Sequence, residues 1–73
     1  MELSVLKKGS KGTSVMALQI LLIGNGYSCG SAGADGSFGP STHNAVTKFQ
    51  GDKKISVDGS VGPQTWKKIL GIA

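Results

Sequence analysis

Seventy-three residues suffice for one small domain, and a chain of this length buries only about 60% of its unfolded surface, so its stability should be modest. Apolar residues make up 38%, charged residues 16%, and glycine fills 12 positions, which excludes a highly charged disordered tail. No run of 18 apolar residues occurs, so no transmembrane helix is expected, and eight lysines without arginine against four acids give a net charge of +4 that favours anionic partners.

The first recognisable segment, Lys8-Gly9-Ser10-Lys11-Gly12, is a basic Gly-x-x-Gly that could clamp a nucleotide backbone, but it lacks the flanking strands such a loop requires. It is read as a turn leading into a helix capped by Thr13 or Ser14. Val15, Leu18, Leu21 and Leu22 line one face of that helix, which should end before Gly24 or Gly26. A long Gly-rich connection from Tyr27 to Gly39 follows, and loops of this length tend to be functional or folded on themselves.

Asp35-Gly36-Ser37-Phe38-Gly39-Pro40-Ser41-Thr42 then recurs as Asp58-Gly59-Ser60-Val61-Gly62-Pro63-Gln64-Thr65, with six of eight positions identical at an offset of 23. A shorter echo links Val15…Gln19 to Val46…Gln50. Internal repetition outranks other signals, because each unit is one supersecondary element. In both copies Asp-Gly marks a tight turn, and proline suits the first helical position, where its missing N–H has no partner to lose. Thr42, Ala45, Val46 and Phe49 give the second helix, stopping at Gly51; Trp66, Ile69 and Leu70 give a third, stopping at Gly71. Ile55-Ser56-Val57 alternates but is too short for a strand. The expected architecture is all-α: a compact three-helix module from a duplicated unit, residues 1–73 forming one domain, with its core near Val15, Leu18, Leu22, Val46, Phe49, Trp66, Ile69 and Leu70.

No constellation for catalysis emerges. Asp35 and Asp58 could be an acid–base pair, but their duplication marks them as two copies of one turn-stabilising residue. One carboxylate per loop excludes an EF-hand-type calcium site, and neither Cys29 nor His43 has the partners needed for a nucleophile or a metal, so no cofactor is expected. Cys29 reads as a small packing residue, His43 as a surface or half-buried helix residue and Trp66 as core, whereas Tyr27 and Phe38 lie where partial exposure is expected.

In order, Gly12-x-x-Val15-x-x-Leu18-Gln19-x-x-Leu22, Gly26-Tyr27, Asp35-Gly36-x-Phe38-Gly39-x-x-Thr42-x-x-Ala45-Val46-x-x-Phe49-Gln50 and Asp58-Gly59-x-Val61-Gly62-x-x-Thr65-Trp66 resemble the peptidoglycan-binding-like domain family over about residues 5–71. That resemblance implies a three-helix, non-catalytic module that binds bacterial peptidoglycan and tethers an attached cell-wall hydrolase to its substrate. It also implies an extracellular or wall location, with any secretion signal outside this chain, and a monomer that engages neither nucleic acid nor membrane. The family's characteristic positions fall on Tyr27, Asp35, Gly36, Phe38, Thr42, Gln50, Asp58, Gly59, Thr65 and Trp66, and all of these but Gly59 and Thr65 are the candidate ligand-binding residues. Gln50 and the Asp-Gly pairs are expected to hold loops, with Tyr27 and Phe38 bordering a shallow groove. A small nucleic-acid-binding protein and a protein-interaction or spacer domain are the alternatives.

Overall fold

The structure, a computed structural model, describes residues 5–71 and contains, among these, three α-helices: α1 Thr13–Gly24, α2 Pro40–Asp52 and α3 Pro63–Leu70. The expected single domain of residues 1–73 extends at both ends beyond the described residues. No helix among them is long and apolar enough to cross a membrane.

Each helix starts after a glycine, and Pro40 and Pro63 occupy the first turns of α2 and α3. The first helix departs from expectation at its start. Gly12 takes the N-cap position with no side-chain cap, and Thr13 is already helical, because the N-terminal segment holds the backbone here instead. Gly12 N–H donates to Gly36 O at 2.9 Å, and its φ of 122° is one that a side chain would resist. Helix α2 runs one residue past Gly51 to Asp52. Lys54 then takes the left-handed conformation (φ 58°), and Ile55 N–H closes on Gln50 O at 3.1 Å. At the end of α1, Gly26 and the Tyr27 N–H to Leu22 O bond (2.9 Å) do the same.

Helical spacing decides what is buried. Val15, Leu18, Gln19 and Leu22 face inward from α1; Thr42, Ala45, Val46, Phe49 and Gln50 from α2; Thr65, Trp66 and Ile69 from α3. The core also takes Leu6, Cys29, Phe38 and Val61, none of them helical. Leu70, expected inside, is exposed, since two turns of α3 can turn only one face inward.

A strap of residues 6–12 joins the two repeat copies. Leu6 pairs with Val61 through reciprocal bonds of 3.1 and 2.7 Å, and Phe38 with the turn through Gly9 N–H to Phe38 O (3.0 Å) and Phe38 N–H to Ser10 O (2.9 Å). Phe38 and Val61 are equivalent repeat positions, so the strap holds the same residue of each copy. Only isolated bridges, Leu6–Val61 and Lys11–Ser37, record this pairing; the described residues form no strand.

Candidate functional site

Each copy is organised around a buried glutamine. Gln19 Nε2 donates to Asp35 Oδ1 (3.1 Å), Ser37 O (3.0 Å) and Thr42 Oγ1 (2.9 Å), while its Oε1 accepts from Gly36 N–H (2.8 Å). Gln50 repeats the set: Nε2 to Asp58 Oδ1 (2.9 Å), Ser60 O (2.8 Å) and Thr65 Oγ1 (3.0 Å), with Oε1 accepting from Gly59 N–H (3.1 Å). Two N–H hydrogens serve three acceptors, so one is shared. A buried group of this kind is stabilising only when satisfied, and here every buried side-chain N or O among the described residues has a partner.

The aspartates complete these hubs rather than a catalytic pair. Ser37 N–H and Ser60 N–H each donate to the aspartate two residues earlier at 3.0 Å, making two Asx turns. For Asp35 the Ser37 N–H, then the Gln19 amide, holds the carboxyl below the usual range; for Asp58 the Ser60 N–H and the Gln50 amide do so. Gly36 and Gly59 take φ of 78° and 75°.

The candidate residues thus divide. Asp35, Gly36 and Thr42 meet at one hub; Gln50 and Asp58 meet at the other. Phe38 does not border a groove as expected: it is 2% exposed, drawn inward by its pairing with the strap. Trp66, at 0%, is core and presents no surface to a ligand. Tyr27 is the one aromatic candidate at the surface. Its ring meets Phe49 edge-on (5.5 Å, 82°), and its hydroxyl donates to Asp52 Oδ2 at 2.6 Å, which raises the phenol's pKa.

Two neighbouring clefts, taken together as a groove, lie where residues 26–32 and 35–39 meet α2. One part, about 210 Å³, is walled by Tyr27, Ser28, Asn44 and Lys48; the other, also about 210 Å³, by Ser31, Asp35, Ser37 and Ser41. Ser41, Asn44 and Lys48 follow one another at three- and four-residue steps along one face of α2. Between them in sequence, Gly30 packs against α2: a Cβ there would lie 2.6 Å from Ser41 Oγ, so only glycine lets the loop approach. Cys29 is buried beneath, its thiol pushed up mainly by burial and partly lowered again by the Thr42 hydroxyl. No group of three His, Cys, Asp or Glu side chains converges on a metal position among the described residues. The groove offers hydroxyls, an amide, one ammonium, one carboxylate and one aromatic ring, a set suited to binding a polar, partly charged polymer.

Sequence reasoning missed Gln19, whose echo of Gln50 was visible, and the groove residues Ser41, Asn44 and Lys48, which carried no signal beyond being polar.

Comparison with known proteins decides the family. The peptidoglycan binding domain model matches residues 11–69, spanning α1, both hubs and most of α3. The chain belongs to the peptidoglycan-binding domain family. It is 45% identical over 69 residues to the N-acetylmuramoyl-L-alanine amidase CwlL of Bacillus licheniformis, covering 94% of this chain and 19% of that one. The crystal structure of the SleB N-terminal domain superposes with a TM-score of 0.89 at 33% identity, covering 96% of this chain and 93% of the other. A peptidoglycan-binding protein from Clostridioides difficile gives 0.84 at 45% identity, covering 92% and 40%. The chain spans about a fifth of the length of the amidase it matches. As a peptidoglycan-binding module it is not itself an enzyme.

Proposed function

We propose that the chain binds peptidoglycan along the groove between residues 26–32 and α2, and that it tethers an attached cell-wall hydrolase to its insoluble substrate. The observation that carries this reading is the groove itself, with Tyr27, Asn44 and Lys48 in one part and serine hydroxyls in the other. An aromatic face packs against the C–H face of a sugar, an amide pairs with acetamido or peptide groups, and an ammonium meets a stem-peptide carboxylate. Tethering then works by effective concentration, with no chemistry from the module. It acts as a monomer at the wall, outside the cell.

A shallow groove with one aromatic implies micromolar or weaker affinity, roughly −8 kcal/mol or less in magnitude. Co-sedimentation of the 73-residue protein with peptidoglycan stripped of other wall polymers tests the reading. Asn44→Ala and Lys48→Ala, both at exposed positions, should each weaken sedimentation about tenfold, the ~1.4 kcal/mol of a well-placed polar contact, with circular dichroism unchanged. If the wild type stays in the supernatant with walls of several chemotypes, or both variants sediment like it, the groove is not the site.

A further inference from the structure

A third cleft, of about 190 Å³, lies at the second hub and on the strap, away from the groove. Lys7, Lys8, His43, Asp58, Gly59 and Ser60 line it. We propose that this cleft is a separate anion site, built to take the phosphodiester of a wall-linked polyol-phosphate polymer.

Three observations support it. The turn carrying both lysines is pre-formed: Ser10 N–H donates to Lys7 O (2.9 Å), Lys7 N–H to Ser10 Oγ (3.1 Å), and the bonds to Phe38 and Val61 fix both flanks. The imidazole of His43 lies directly on Gly59, so close that a Cβ at Gly59 would collide with it. The imidazole thus lines the same cleft as the two lysines. The comparison between repeat copies isolates what is unusual: Asp35 and Ser37 line the cleft at the first hub, as Asp58 and Ser60 line this one, yet the first contains no cation and the second contains two. The cations come from the strap, outside the duplicated unit.

The donor set selects among anions. A carboxylate is planar and best met by an arginine fork, which the chain does not possess, whereas separate lysines act as point charges around a tetrahedral phosphate. Nucleic acid would also supply phosphates, but the cleft has no Phe, Tyr or Trp on which a base could stack. The Asp58 carboxylate at its edge suits a ligand that presents hydroxyls beside its phosphate. A polyol phosphate does both. The site goes beyond the peptidoglycan groove, and only the choice of a wall polymer as its ligand rests on the proposed location at the wall.

The experiment measures binding of the 73-residue protein to isolated poly(glycerol phosphate) over a salt series, beside sedimentation with stripped peptidoglycan. The paired substitution Lys7→Gln with Lys8→Gln should weaken polymer binding about tenfold and reduce the log–log salt slope by about 1.4, as loss of two phosphate contacts does. His43→Gln should weaken it as well. Lys67→Gln with Lys68→Gln, which removes the same charge from the last turn of α3, should leave it nearly unchanged. Inorganic phosphate should shift the amide resonances of Gly59 and Ser60. Equal losses from the two lysine pairs would mean that only net charge is at work and would overturn the site, as would an oligonucleotide binding more tightly than the polymer. Sedimentation with stripped peptidoglycan should persist in the Lys7/Lys8 variant, so failure of one site does not imitate failure of the other.

Discussion

The two glutamine hubs make the same four hydrogen bonds, but they close very different lengths of chain. Gln19 reaches Asp35 across 16 residues and Gln50 reaches Asp58 across 8. The hub is therefore indifferent to its linker, and what diverges is the surface around it. In the first copy the long linker contributes Cys29 to the core and walls a groove of hydroxyls. In the second the short linker contributes none of the lining residues, and the strap supplies lysines instead. Even the atoms packed over the turn glycine differ. A Cβ on Gly36 would meet Gly12 O at 3.3 Å, whereas one on Gly59 would strike the His43 ring. Duplication preserved the hydrogen-bond set and released its rim to change.

The most severe way to break this comparison is to remove each glutamine. Gln19→Ala and Gln50→Ala should each cost about 2–4 kcal/mol, because a cavity and several orphaned polar groups are created together. Against a total stability of ~5 kcal/mol that is most of the fold. The linkers should then separate the two variants. Freeing twice the length of chain favours opening by about 0.6 kcal/mol. Hydrogen exchange should therefore show Gly36 and Ser37 losing protection locally in Gln19→Ala, while Gln50→Ala loses it globally. Equal, global loss in both would mean that linker length is irrelevant to how the hubs fail.

Next in size comes Gly59→Ala. The left-handed conformation alone costs a side chain roughly 1–2 kcal/mol, and the His43 ring must also move. Gly36→Ala should show little beyond the conformational cost. Thermal unfolding of Gly59→Ala in a His43→Ala background should recover the steric part only, bringing the two glycines level. If the gap between them persists without the imidazole, His43 is not its cause.

Smallest is the loss of the aspartates: Asp35→Ala and Asp58→Ala should each lower the melting temperature by less than Gly59→Ala does, as loss of a single exposed turn contact would. Their pH dependence follows from the direction of the shifts. Both carboxyls titrate below the ordinary value, so each stabilises the fold above about pH 4, and that contribution disappears as the pH falls through the folded-state value. The acid limb of the melting curve should flatten by similar amounts in Asp35→Asn and Asp58→Asn. Unequal flattening would show that the hubs differ electrostatically despite their shared geometry.

Much of this was legible in the residues. Proline at the helix starts, apolar spacing and glycine at the ends placed three helices within a residue or two, and duplication identified Asp-Gly as structural. Gln19 was harder to read because it pairs with Gln50 at an offset of 31, whereas the Asp-Gly octets repeat at 23. The unequal linkers put glutamine and turn in different registers. Phe38 suggested exposure because it sits in a long loop, yet its repeat partner Val61 is also apolar, and a position apolar in both copies is a core position. Phe38→Ala is consequently a cavity substitution and no probe of binding. The groove left no trace, since Ser41, Asn44 and Lys48 become a surface only when residues 26–32 fold across α2.

The amide at each hub is also a point of chemical vulnerability. Deamidation would convert Gln19 to a glutamate of nearly the same shape and reverse the meaning of one atom. The donor facing Asp35, the Ser37 carbonyl and Thr42 would become an anionic oxygen among acceptors. Gln19 and Gln50 are each only 1% exposed, so hydrolytic water is kept from them while the fold holds. Ageing damage should therefore accumulate only in molecules that have already opened, and each such event removes the group that would have closed them again.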